Sequence, residues 1–140
     1  YEALKTAQAL DFVKQKGEDL DFMIQQNGRN LSGGQKQRLT IARALVRKPS
    51  VLILDDSASA LDFATDARLR KEIARRTDQM TVFIVSQRVS AVKNADQILV
   101  MDNGRVSGKG THRDLLNSCH IYREICESQM TREEVEADAQ

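Results

Sequence analysis

Proline occurs once in these 140 residues, at Pro49; tryptophan is missing, and the aromatics are four phenylalanines and two tyrosines. So few rings offer no platform on which nucleic-acid bases could stack. Charge of one sign is lacking as well: 21 Lys+Arg stand against 20 Asp+Glu, a net charge of +1. No phosphate-seeking field covers the whole molecule, which argues against a nucleic-acid binder held by electrostatics. Apolar runs reach only four residues, at 51–54, 82–85 and 98–101, where a membrane-spanning helix needs about 18 or more, so the chain is expected to be soluble. Cys119 and Cys126, placed on one helix, have no second Cys or His pair at metal-binding spacing and are expected as reduced, packed thiols. The chain opens on Tyr1 without a basic-then-apolar leader, and is expected to be a one-domain piece of something longer.

Glycines supply most of the punctuation. Leu4, Ala7, Leu10 and Val13 recur at a helical period and predict a helix over 4–16, with 19–23 extending the helical region beyond Gly17. Residues 25–30 are polar, contain Gly28 and read as a loop. A helix is predicted from Gly33 to Lys48, capped by Ser32, with Leu39, Ala42, Leu45 and Val46 on one side and an end just before Pro49. Residues 51–54 form a short, continuous apolar run of the kind found in parallel strands buried on both faces. A helix over about 62–76 follows, with Leu69 and Ile73 inward, then a strand over 81–85 and a short helix over 90–93. Strand, helix, strand predicts a parallel α/β sheet.

Further on, 97–101 and 105–108 flank Asp102-Asn103-Gly104, whose Asn-Gly signals a hairpin. Thr111 and Asp114 resemble a capping box, opening a helix through Leu115 and Leu116, and Ile121, Tyr122 and Ile125 predict another to about Met130. Residues 131–140 are acidic and expected to be frayed. Arg43, Arg47 and Lys48 read as a solvated face, and His112 and His120 as surface or capping residues.

The most informative stretch is Leu31-Ser32-Gly33-Gly34-Gln35, running directly into a basic helix. Two glycines leave backbone N–H groups uncovered at a helix start, where unpaired donors and the helix dipole favour an anion, and Ser32 adds a hydroxyl. A phosphate fits there; a glycine-rich turn with a serine cap is the alternative these residues leave open. About twenty residues later the strand over 51–54 ends in Asp55-Asp56, and open α/β sheets place ligands at the carboxyl ends of their strands. A carboxylate there holds Mg²⁺, usually through water, beside a nucleotide's phosphates, or else caps the next helix. Ser59-Ala60-Leu61-Asp62 follows immediately.

Taken together, these motifs resemble the C-terminal part of an ATP-binding-cassette (ABC) transporter nucleotide-binding domain, over nearly the whole chain up to about Met130. The resemblance implies an α/β fold that is a partial P-loop NTPase: a helical subdomain at 1–48, the C-terminal part of the α/β core at 49–130, and a disordered acidic tail at 131–140. Residues 31–35 (Leu31, Ser32, Gly33, Gly34, Gln35) would be the signature motif, 51–55 the Walker B strand with Asp55 on Mg²⁺, and 59–62 the D-loop with Asp62 beside the nucleotide. Ser86-Gln87-Arg88 would be the switch loop. Gly28-Arg29-Asn30 and Gly108-Lys109-Gly110-Thr111-His112 are similar to the exporter branch.

Three departures qualify that picture. No Gly-x-x-x-x-Gly-Lys-Ser/Thr run occurs in the 140 residues, so the phosphate-cradling loop is absent and the chain alone is expected to be inactive as an ATPase. Asp56 stands where the family usually carries the glutamate that polarises the attacking water. Its carboxylate is retracted by ~1.5 Å, one C–C bond, and misplacement on that scale costs about 10²-fold in rate. Gln87 stands where a histidine normally contacts the γ-phosphate; it donates a hydrogen bond but carries no charge. In this family two such domains pair head to tail, each signature facing the P-loop of the other.

An intact signature beside a weakened own site therefore resembles the degenerate half of a heterodimeric multidrug-type exporter. The partners so implied are a second nucleotide-binding domain on a different subunit and a transmembrane domain of the same polypeptide, at the cytoplasmic face of the membrane. ATP and Mg²⁺ are the implied ligands, export of a small molecule is the implied activity, and no nucleic acid is expected. The competing readings are a soluble cassette ATPase acting on nucleic acid or ribosomes, and a purely structural interaction module.

Overall fold

The structure is a computed structural model and describes residues 1–17, 19–57, 59–76 and 80–140. They form two compact units, Tyr1–Val85 and Ser86–Gln140.

In the first unit the helix expected over 4–16 is broken into α1 (Glu2–Thr6) and α2 (Leu10–Gln15). The break lies at Gln8, whose φ of 57° is left-handed, between the fully buried Ala7 and Ala9. Its carbonyl, lost to a helix, accepts a 2.7 Å hydrogen bond from Arg38 Nη1, and the same guanidinium stacks 4.8 Å from the Phe12 ring centroid. That long-range partner is why local periodicity misses the break. Single 3-10 turns at Asp19–Asp21 and Gln26–Gly28 lead to α3 (Gly33–Val46). Ile41, Ala42 and Leu45 of α3 enter the core, whereas Val46, expected on the same side, is 68% exposed. The helix stops there; Lys48 turns left-handed with φ 48° before Pro49.

β1 (Val51–Asp55) and β2 (Thr81–Val85) pair in parallel, in register from Val51 with Thr81 to Asp55 with Val85, and α4 (Phe63–Ala74) crosses between them. Leu52 and Leu54 point into the core with Ile41, Leu45, Leu69 and Ile73, as predicted for the last two. Val51 and Ile53, by contrast, are 51% and 67% exposed. The continuous apolar run is thus covered on one face only among the described residues.

The second unit holds α5 (Val89–Val92), the antiparallel pair β3 (Ile98–Asp102) and β4 (Arg105–Gly110), α6 (His112–Ser118), α7 (His120–Glu127) and α8 (Arg132–Ala139). The hairpin turns on Asn103 and Gly104, with φ of 46° and 76°, the left-handed pair that a type I′ turn requires. Cys119 is the junction between α6 and α7, so the two buried cysteines do not share a helix. On β4, a Cβ added to Gly108 would lie 2.8 Å from Cys119 Sγ and 2.9 Å from Leu115 Cδ2. Gly108→Ala is therefore expected to overpack this core and cost about 1–3 kcal/mol; a thermal unfolding midpoint equal to wild type would contradict this close packing.

Residues 131–140, expected to fray, instead build α8. Thr131 and Glu134 form a capping box, Val135 is 1% exposed, and Asn117 Nδ2 donates to the Ala139 carbonyl at 3.0 Å. His112, expected at the surface, is buried: Nδ1 lies 2.8 Å from the Tyr122 hydroxyl and Nε2 3.2 Å from Asp138 Oδ2 on α8. Lys93 Nζ reaches the same carboxylate oxygen at 3.2 Å. Hydrogen bonds from His112 and then Lys93 hold the Asp138 carboxyl below the usual aspartate range. A carboxylate whose folded pKa is lowered stabilises the fold above its unfolded pKa, about 3.9, and loses that contribution as the pH falls through the lowered value. We expect the α8 contact to weaken in that window, read from the Val135 methyl resonances, and Asp138→Asn to flatten the acid dependence.

Candidate functional site

The start of α3 is built by its own sequence. Ser32 Oγ accepts the Gln35 backbone N–H at 3.2 Å while Gln35 Oε1 accepts the Ser32 N–H at 3.0 Å, a reciprocal capping box. Gln35 is thus engaged through its Oε1 in holding Ser32. A serine hydroxyl that accepts one bond keeps its own hydrogen to give, so Ser32 remains a donor. The N–H groups of Gly33 and Gly34, in the first turn, have no intrahelical acceptor. Leu31 is buried at 9% exposure, and its N–H donates to the Gly28 carbonyl at 3.0 Å. An apolar anchor followed by unpaired donors at the positive end of a 14-residue helix suits an anion such as a phosphate.

The segment after β1 packs against this helix start. A Cβ on Gly34 would stand 3.0 Å from the Ala60 carbonyl oxygen, and one on Gly33 3.6 Å from the Ala60 Cβ. One turn along α3, the Gln37 amide grips the same segment: Nε2 donates to Ser59 Oγ at 3.1 Å and to the Asp56 carbonyl at 3.4 Å, and Oε1 accepts the Ala60 N–H at 3.1 Å. Sequence reasoning missed Gln37; its spacing of three from Gly34, which places both on one helix face, was the available signal.

Asp55 is the last residue of β1, paired with Val85, and is exposed. Asp56 leaves the strand with φ 43° and donates its N–H to the Val85 carbonyl at 3.1 Å. Aspartate tolerates that left-handed conformation better than most residues. Asp62 caps α4, accepting the Thr65 N–H at 2.9 Å, and that hydrogen bond holds its carboxyl below the usual range. Gln87 lies in the second unit, where its carbonyl accepts Gln129 Nε2 at 2.8 Å while Gln129 Oε1 accepts the Val89 N–H at 2.9 Å. No sequence signal pointed to Gln129. Among the described residues no cluster of three or more His, Cys, Asp or Glu could cage a metal. Mg²⁺ needs no such cage, keeping several waters beside one or two carboxylates and substrate phosphates, and the exposed Asp55 fits that limited role.

The ABC transporter family matches residues 2–59. The chain is 46% identical over 132 residues to the ABC transporter ATP-binding protein YfiB of Bacillus subtilis (strain 168), covering 94% of this chain and 23% of that protein. A solved structure of a bacterial Atm1-family ABC exporter with ATP bound aligns with a TM-score of 0.85 at 35% identity, over 90% of this chain and 22% of that one. The chain is homologous to ABC transporter ATP-binding proteins. It is also 42% identical over 124 residues to the beta-(1→2)glucan export ATP-binding/permease protein NdvA of Bartonella bacilliformis, covering 88% of the chain and 21% of that protein. The chain thus spans less than a quarter of each relative's length. The ABC ATPase fold is α/β, as the parallel β1–β2 pair and its crossover α4 predicted. No helix among the described residues is long and apolar enough to cross a membrane.

Proposed function

We propose that the chain is the ATP-binding component of an ABC exporter, coupling ATP binding and hydrolysis to export of a small molecule. It is the degenerate-site half of a heterodimer at the cytoplasmic face of the membrane. What supports this reading is the capped, glycine-opened helix start at Ser32, Gly33 and Gly34, taken together with the sequence-level substitutions Asp56 and Gln87, where the resemblance implies a glutamate and a histidine. Ser32 and the glycine N–H groups donate in trans to the phosphates held by a second nucleotide-binding domain on a different subunit, with Leu31 and Gln35 fixing their geometry. Asp55 holds Mg²⁺ through water, and Asp62 borders the nucleotide at the pairing face. The transmembrane domain is supplied by the same polypeptide. Support also comes from the relatives named for export and for ATP binding.

Nucleotide trapping in the paired transporter tests this. After turnover, a photoreactive ATP analogue is expected to remain as triphosphate at this chain's own site and to appear as diphosphate at the partner's. Equal diphosphate at both sites would sink the degenerate-site reading. The purified 140-residue chain is expected to show no Mg²⁺-dependent ATPase activity, checked by phosphate release.

A further inference from the structure

We propose that Gln37 is a positioning residue that locks the start of α3 to the segment after β1, so that the Ser32–Gly34 donors and Asp56 shift together. The inference rests on the reading of Ser32 and Gly34 as donors in trans and deepens it. Three hydrogen bonds from one amide hold both ends of a short loop: the Asp56 carbonyl at its beginning, Ser59 Oγ and the Ala60 N–H at its end. Asp56 is in turn tied through its own N–H to the Val85 carbonyl at the end of β2. At the other side, a methyl group on Gly34 would press on the Ala60 carbonyl oxygen at 3.0 Å. The path runs from Val85 to Asp56 and on to Gln37 through hydrogen bonds of 3.1 and 3.4 Å, and from Gln37 to Gly34 along α3.

Its functional meaning follows from which groups it connects. Asp56 belongs to this chain's own nucleotide, whereas Ser32 and Gly34 reach the partner's. A helix start displaced by a fraction of an ångström misaims its donors, and the two half-sites then lose their common frame. Because those donors act most strongly on charge that develops in the transition state, the loss falls on kcat and leaves ATP affinity nearly unchanged.

The test compares Gln37→Leu with Gln37→Glu in the full-length transporter and its natural partner. Leucine removes all three hydrogen bonds at similar volume. Glutamate retains the acceptor for the Ala60 N–H but has no hydrogen to donate, so it loses the donated bonds to the Asp56 carbonyl and to Ser59 Oγ. Gln37→Leu is expected to speed Ala60 amide exchange about tenfold or more and to lower kcat between about ten- and a hundredfold, with KM for ATP within about threefold. Gln37→Glu is expected to restore Ala60 protection while kcat stays low, because the tie to the Asp56 carbonyl remains broken, and full turnover in Gln37→Glu overturns the link to Asp56. Unchanged Ala60 exchange in Gln37→Leu overturns the proposal. So does a kcat within about twofold of wild type in a background where Ser32→Arg abolishes turnover, and the functional reading then stands. A loss of turnover with Ala60 protection that Gln37→Glu does not restore, and a lowered unfolding midpoint, overturns it as a matter of stability alone. If Ser32→Arg itself leaves turnover intact, the trans-donor reading fails first and takes this inference with it.

Discussion

In the full-length transporter paired with its natural partner, Ser32→Arg is expected to cut steady-state ATPase by at least about 10²–10³, the loss typical of removing one preorganised donor from developing charge. Two effects add up in that variant. The hydroxyl that keeps its hydrogen for a phosphate is gone, and the side chain no longer accepts the Gln35 N–H, so the capping box opens. The loss of the cap alone costs about 1 kcal/mol of local stability, too little to unfold a domain but enough to loosen the first turn. Asp56→Asn is the contrast. Asparagine tolerates the left-handed backbone at this position as aspartate does, so the loop keeps its course. On the proposed degenerate-site reading, a carboxylate one methylene shorter than glutamate contributes little, and most of the turnover is expected to survive its loss. Asp56→Glu combined with Gln87→His is expected to leave transport intact and raise hydrolysis at this chain's own site. Should Asp56→Asn abolish turnover as completely as Ser32→Arg, Asp56 is the catalytic carboxylate in spite of its reach.

On its own, the 140-residue chain is expected to self-associate. The outer face of β1–β2 presents Val51, Ile53, Phe83 and Val85 at 51%, 67%, 54% and 56% exposure. Ile53 and Phe83 are register partners, so their side chains form one contiguous apolar step across the pair. Among the described residues the sheet has two strands, leaving both edges unpaired. Ile53→Lys with Phe83→Glu places opposite charges across the same step and is expected to convert oligomer to monomer, measured by sedimentation velocity. A wild-type chain that sediments as one monomeric species, with a cooperative melt at high temperature, would refute the expectation.

What could be read from the sequence was whatever short-range chemistry determines. Ser32 with Gln35 and Thr111 with Asp114 cap helices as their spacing predicts, and Asn103-Gly104 turns the hairpin. Leu69 and Ile73 face inward because α4 has a single apolar stripe. Residues 31–35 form the serine-capped helix start that the local sequence predicts. Several misreadings share a different origin, a partner far along the chain. Gln8 breaks the first helix because Arg38, thirty positions on, satisfies its carbonyl. His112 is buried because Tyr122 and Asp138 satisfy both ring nitrogens, and α8 exists because Val135 finds an apolar seat for an otherwise polar segment. Gln37 and Gln129 belong here too: an amide side chain has no preferred pattern until its acceptors are placed.

The two strand pairs impose different timetables on the nascent chain. β3 and β4 are joined by two residues already disposed to turn, so they meet within microseconds of leaving the ribosome. Among the described residues β1 has no such neighbour: its parallel partner β2 lies beyond the whole of α4, so the β1–β2 ladder waits until Thr81 is synthesised. During that interval the β2-facing edge of the uncharged Val51–Leu54 run is open to other chains. Translation pauses placed between α4 and β2 would lengthen this vulnerability, whereas pauses after Val85 would fall when the strand already has its partner.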